Sequence, residues 1–244
     1  MKFHTLVASC LLLGTPLSYA GTINGGSLLH PSDANQIETW LGSGDLDFTN
    51  IFSGAAGVAT AGSFHAAADG VGPTISIYEI TLADSSHARV GGYTTVNWAA
   101  PIGGEYVSDF AAFIFNLDSL ELQNVQSIPQ YAIFRAPSYF PTFGGGHDLF
   151  PGYGILGTCA GFSGEPYCDG YSSSHSYDQD QGQITVVGDI GSGSGNSGTQ
   201  YDSWSVNSLE VYTFAPAAPV PLPPAAILFA PAVAGLAFLR RRRI

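Results

Sequence analysis

The stretch PTISIYEITLA, Pro73 to Ala83, decides the fold class. Ile75 and Ile77 alternate with polar neighbours, and the apolar positions resume on Ile80 and Leu82 with the parity changed. A period of two is the mark of a β-strand with one buried face. The change of parity near Tyr78 and Glu79 reads as a register break, the kind of irregularity a bulge introduces. Five more short stretches repeat the strand signal: ARVGGYTTVNW from Ala88, FAAFIFNL from Phe110, QYAIFRA from Gln130, QITVVGDI from Gln183 and SLEVYTF from Ser208. Gly and Pro punctuate the runs between them. Two segments carry helical spacing instead. In HPSDANQIETWLG, Ser32 or Asp33 can cap a helix whose Ile37, Trp40 and Leu41 share a face and which Gly42 ends; in TAGSFHAAADG, Thr60 to Gly70, an Ala-rich turn is again closed by Gly. Six strands with two brief helices predict a mainly β (α+β) domain of antiparallel sheets packed face to face.

The two ends read differently from the body. MKFHTLVASCLLLGTPLSYA places Lys2 before an apolar core, Leu6 to Leu13, and small residues around Tyr19, which is the layout of a secretory signal cut between Ala20 and Gly21. A lipoprotein box at Val7 to Cys10 is the rival, but it would leave most of the apolar core after the modified cysteine. At the other end, Pro221, Pro223, Pro224 and Pro231 interrupt an apolar run that closes on Arg240, Arg241, Arg242 and Arg243. From Val220 to Leu239 it is just long enough to cross a bilayer, and a basic cluster beyond it is retained on the cytoplasmic side. The segment from Ala215 to Pro219 reads as a linker.

Between these ends the chain has two basic residues, Arg89 and Arg135, against nineteen acids, a net charge of about −17. Such a body stays soluble and repels nucleic acid. The absence of lysine there removes Schiff-base and phosphate-loop chemistry. No Gly-x-Ser-x-Gly, His-Glu-x-x-His or supported Gly-x-Gly-x-x-Gly motif is present, so an ordinary hydrolase or dinucleotide enzyme is not indicated. With Cys10 removed, Cys159 and Cys168 are the two cysteines of the exported chain. In an oxidising compartment a disulfide across this Gly-rich loop is the first reading, with a metal pair or free thiols as alternatives.

Candidate site residues are few. His65 is a base or ligand, or else a histidine satisfying a buried hydrogen bond. His147 and Asp148 sit in FGGGHDLF, where Gly144, Gly145 and Gly146 read as a tight turn or close packing point, and adjacent residues of an extended chain point apart. Glu210, in an apolar strand, is either a partly buried acid with a polar partner or a solvated edge residue. Asp178, Asp180 and Asp189 loosely follow a calcium loop, with the central Gly displaced to Gly182. No other cofactor is indicated.

Two resemblances organise these features. The tail, with Val220-Pro221-Leu222-Pro223, an Ala-rich apolar segment and the terminal arginines, resembles a PEP-CTERM sorting signal, with Pro-Leu-Pro in place of Pro-Glu-Pro. That resemblance implies a Gram-negative bacterium, an inner-membrane intermediate, an exosortase as processing partner, and release to the cell surface or extracellular matrix among exopolysaccharide. An ordinary C-terminal anchor without processing fits length and charge as well. From Ile37 to Phe214 the body is similar to TLDc domains. The similarity rests on Trp40, Phe64-His65, Gly70 with Pro73-Thr74, Gly91-Gly92-Tyr93 with Trp98, Phe143-Gly144-Gly145-Gly146 with Asp148-Leu149, and Glu210-Val211. It implies a sandwich of antiparallel sheets with a few helices over residues 21–214. The family's eukaryotic members are linked to oxidative-stress resistance and to a proton-pumping ATPase, and no catalytic residue is carried over from it. Tyr153 to Gly182 is longer than the family pattern. Two functions follow as expectations. One is a non-enzymatic surface protein whose acidic, Tyr-rich body binds exopolysaccharide or another envelope component. The other is an enzyme, hydrolytic or protective against oxidants, built on Glu210, His65 or His147.

Overall fold

The computed structural model describes residues 21–82, 84–126, 128–158, 170–173, 175–177, 185–188 and 201–218, with backbone alone at 201–203. The signal segment through Ala20, Cys159 and Cys168, the three aspartates Asp178, Asp180 and Asp189, and the tail from Val220 through Pro221 and Pro223 to the arginines lie outside the described residues. Among those described, no helix is long and apolar enough to cross a membrane, and no three His, Cys, Asp or Glu side chains gather as a metal site.

In chain order the elements are β1 (Ile23–Asn24), α1 (Pro31–Leu41), β2 (Leu46–Ala55), α2 (Ala61–Ala68), β3 (Thr74–Thr81), β4 (His87–Thr94), β5 (Glu105–Val107), β6 (Phe113–Asn116), β7 (Glu121–Asn124), β8 (Ile133–Arg135), β9 (Thr142–Phe143), β10 (Tyr171–Ser173), β11 (Tyr201–Ser203) and β12 (Ser205–Pro216). Seven strands form one sheet in the order β1-β2-β12-β3-β4-β6-β7, β5-β8-β9 form a second, and β10-β11 a short third. All pairings are antiparallel except β1 with β2. Over the described residues the protein is a mainly β sandwich with two α-helices, as the strand-rich pattern predicts.

The expected register break in β3 is absent. Thr74 to Thr81 pair with β4 without a shift, and the parity change has another cause: β3 is buried on both faces. Ile75 and Ile77 pack into one core with Ile37, Phe48, Phe115 and Tyr212 beneath α1. Tyr78 and Ile80 pack into a second core with Phe64, Trp98, Phe140, Phe143 and Leu209, beneath α2 and the smaller sheet. A central strand covered on both sides has no polar face to reveal. The irregularities lie in its neighbours. β12 carries one between Val206 and Ser208, and β2 gains a residue at Ile51 opposite Val211 and Tyr212. That extra residue is why Phe48 and Phe52, of the same parity, enter different cores.

The Gly91-Gly92 pair follows from the same two-sided packing. A side chain at Gly91 would meet the Phe115 ring at 2.6 Å on one face, and one at Gly92 the Phe143 ring at 2.5 Å on the other. Each glycine lets an aromatic ring lie directly on the sheet.

Other sequence expectations are corrected in detail. α1 is capped by His30 rather than Ser32 or Asp33: Pro31 takes the first helical position, and Asp33 accepts the His30 N–H at 2.9 Å. Its end at Gly42, in the left-handed region, is as expected. α2 is capped by Thr60, which accepts the Ser63 N–H at 3.1 Å. The strand expected from Phe110 begins at Phe113, Phe110 being 80% exposed. The run from Gln130 is half taken by a 3-10 turn at Pro129–Tyr131. In the run from Gln183, residues 185–188 form a turn closed by Gly188 N–H on Thr185, not a strand. The first two residues of the expected linker, Ala215 and Pro216, pair with Asp47 and Leu46 as the end of β12.

Candidate functional site

Cross-strand pairing on and around the smaller sheet brings aromatic rings together. Tyr106 of β5 faces Phe134 of β8, their centroids 4.9 Å apart. Tyr139, in the turn after β8, forms an isolated bridge with Tyr153, the rings 5.7 Å apart and inclined by only 27°. Phe150 bridges Tyr171 at 5.2 Å. Directly opposed residues on one face of a ladder are close enough for such contacts. Tyr131 joins from the 3-10 turn, 5.0 Å from Tyr106, and Phe134 meets Tyr139 at 4.8 Å. The result is an unbroken run, Tyr131-Tyr106-Phe134-Tyr139-Tyr153. Tyr106 is 40% and Tyr131 39% exposed, and the other three are half-buried. Burial raises the phenol pKa values of Tyr106 and Tyr139, which keeps both protonated.

The glycine-rich turn lies under this ledge. Gly144 (φ 90°), Gly146 (φ 99°) and His147 (φ 67°) adopt left-handed backbone, closed by the His147 N–H on Gly144 and by paired Phe143–Leu149 hydrogen bonds. It is the tight turn that the three glycines predict. Tyr171 and Ser173 donate their hydroxyls to the Gly146 carbonyl at 3.3 and 3.2 Å. His147 stacks on Phe150 at 5.1 Å and meets Phe134, Tyr139 and Tyr171, and its Nδ1 is buried with no hydrogen-bond partner. Desolvation lowers its pKa to about 4. The Asp148 carboxylate points elsewhere, as expected for adjacent residues. It accepts the backbone N–H groups of His175, Ser176 and Tyr177 at 2.5, 2.9 and 3.4 Å. Burial raises its pKa to about 7, with those three donors opposing the rise.

These two buried groups set opposite pH dependences. Asp148 titrates at about 7 folded against an ordinary 3.8, so it weakens the fold progressively as pH rises from about 4 to 7. His147 titrates at about 4 against an ordinary 6.5, so its share of stability is lost as pH falls through that interval. Between pH 4 and 6.5 the two slopes oppose each other. Thermal melts should therefore rise with pH over this range in Asp148→Asn and fall in His147→Asn, with the parent protein between them. Identical profiles for all three proteins would refute the assignment. Asparagine is chosen at position 147 because it tolerates left-handed backbone.

His65 and Glu210 are placed apart from this turn. His65 Nδ1 lies 2.7 Å from the Asp69 carboxylate, and its Nε2 lies 2.9 and 3.0 Å from the carbonyls of Ala136 and Tyr139. All three partners are acceptors, and through them the side chain ties α2 to the turn that carries Tyr139. Glu210 is not the solvated edge residue considered from sequence. It is 6% exposed, on an interior strand, on the face shared with Ile77 and Tyr212. Its carboxylate accepts from the Ser27 N–H at 2.9 Å, the Ser27 hydroxyl at 3.2 Å, the Leu28 N–H at 2.8 Å and the Tyr212 hydroxyl. The structure thus does not bring Glu210 together with either histidine, which lie on the other side of the large sheet.

The remaining motif residues pack. Phe64 meets Trp98 at 5.8 Å, Trp98 meets Phe143 at 5.7 Å and donates its indole N–H to Thr74 at 3.0 Å, and Leu149 is fully buried. On the opposite face Trp40 lies against Phe115 at 5.5 Å and Tyr93 against Phe113 at 5.0 Å. Sequence reasoning missed the ledge itself. Its tyrosines are scattered from Tyr106 to Tyr153, and β5 and the Tyr139–Tyr153 bridge, which align them, are too short to show a periodic pattern. Tyrosine abundance was the only available signal. No family model matches the chain, and no curated protein matches it.

Proposed function

We propose that the protein is an exported TLDc-like domain, carried by a signal peptide and a PEP-CTERM-type tail to the cell surface or matrix, where it binds polysaccharide without acting as an enzyme. The observation that carries the binding role is the ledge: five consecutive aromatic rings, the two at one end well exposed. Partly exposed aromatic faces offer sugars apolar contact, and phenol hydroxyls offer hydrogen bonds. A contiguous apolar surface of this kind on a soluble domain marks an interaction site. A binding role is preferred to catalysis because Glu210 is occupied by the Ser27 and Leu28 N–H groups and the Ser27 and Tyr212 hydroxyls, His65 by Asp69 and two backbone carbonyls, and the packing of the motif residues accounts for them without chemistry. The acidic body is compatible with secretion and gives nucleic acid no foothold.

The test uses protein recovered from the native cells with the exopolysaccharide of the same cells. The mature parent should co-sediment with that polysaccharide, its mass lacking the RRRRI end, and Tyr139→Ala together with Tyr153→Ala should weaken retention about tenfold. Unchanged retention in the double variant would sink the ledge as the binding surface. An intact arginine end in surface-located protein would sink the sorting reading independently.

A further inference from the structure

We infer that the ledge takes an uncharged glycan oligomer and discriminates against both uronate or sulfated polymers and amino-sugar polycations; this rests on the carbohydrate-binding reading above. The geometry sets the form of the ligand. Successive centroids from Tyr131 to Tyr153 are 4.8–5.7 Å apart, with ring planes inclined by 73°, 56°, 72° and 27° in turn, so the five rings present edges and phenols over an area larger than one pyranose. An oligomer can contact more of them than a single sugar can.

Charge sets the class. A polyanion needs counter-charge, and between Gly21 and Pro219 there is no lysine and only two arginines. Arg135, which neighbours Phe134, is consumed: its guanidinium holds Glu105 at 2.7 Å and the Asn97 carbonyl at 2.7 Å. Arg89 holds Asp33 and Asp118 at the end of β4 away from Tyr93. Nineteen acids would repel a polyanion without local compensation. A polycation, in turn, needs open carboxylates at the contact. The described acids around the ledge are engaged: Glu105 by Arg135, Asp69 by His65, and Asp148, buried, by three backbone N–H groups. The general negative charge acts over no more than about 8 Å at physiological salt, so the side chains at the contact decide, and there Glu105 is held by Arg135 and Asp148 is buried. What the ledge presents is rings and phenols, which suit hydroxyl-bearing neutral sugars.

The mature protein is applied to a printed array of neutral hexose oligomers, uronate and sulfated oligomers, and deacetylated amino-sugar oligomers, at low and high salt. Signal confined to the neutral oligomers, increasing with oligomer length, insensitive to salt, and about five- to tenfold weaker in Tyr139→Ala or the more exposed Tyr131→Ala supports the inference. Circular dichroism melts confirm that either variant is folded. Signal confined to charged oligomers overturns the inference and leaves the carbohydrate reading standing. Silence on every class overturns both. A dimer in light scattering that Tyr131→Ala dissociates would assign the ledge to a second copy of the chain, and also overturns it.

Discussion

Gly144→Ala should cost at least ~4 kcal/mol and lower the melting temperature by roughly 10 °C, one of the largest effects of any single methyl group in the protein. Two costs combine at this position. Its φ of 90° is open to glycine and strained for alanine. A Cβ there would also lie 1.7 Å from an Asp148 carboxylate oxygen and 2.7 Å from the Asp148 backbone nitrogen. Asp148 cannot move aside cheaply, because moving releases the three N–H groups of residues 175–177, each left buried or half-buried without its acceptor. The loss should reach the ledge, since Tyr106, Tyr139 and Tyr171 all lean on this turn. The control is Gly62→Ala in α2, where the nearest atom to a new Cβ is 3.9 Å away; there helix propensity predicts a change of about 0.5–1 kcal/mol in the stabilising direction. Similar melting temperatures for the two variants would refute the account of the glycine-rich turn.

What could be read from the sequence, and what could not, divides along physical lines. Local signals were legible. The helix end at Gly42, the strands from Ala88 and Ser208 and the turn at Gly144 each depend on residues close in sequence. The class followed, a mainly β sandwich. Signals that depend on partners were not legible. The parity change at Tyr78 looked like a bulge because one strand cannot reveal that both its faces are covered. In β2 the bulge at Ile51 sends Phe48 and Phe52, of the same parity in sequence, into different cores, which the alternation of one strand cannot show. The expected strand from Gln183 has strong β-propensity in Val186 and Val187, yet those side chains are buried from a turn, against the core that includes Tyr177. The site was the least legible part. His65 showed its chemistry only once Asp69 and two carbonyls of a distant turn were in place, and the ledge is assembled from residues nearly fifty positions apart.

Glu210→Ala should destabilise the protein by about 3–4 kcal/mol, with the damage centred on the N-terminal segment rather than on any reaction. The carboxylate gathers the Ser27 and Leu28 N–H groups and the Ser27 and Tyr212 hydroxyls, and so fixes the chain between β1 and α1 over the core formed by Ile37, Ile75 and Ile77. Gly26 belongs to the same arrangement: at φ 76°, a side chain on it would meet the Tyr212 hydroxyl at 2.1 Å and Glu210 at 2.8 Å. Alanine leaves these donors facing an apolar core, whereas glutamine keeps one acceptor oxygen and should cost clearly less. Amide hydrogen exchange distinguishes the structural role from a catalytic one. Protection at Ser27 and Leu28 should fall far more than protection in β3 and β4, and glycan retention by the folded fraction should be unchanged. Glu210 lies on the face of the large sheet away from the ledge, so a variant that stays fully protected at Ser27 and Leu28 but loses function would return this residue to the list of candidate acids.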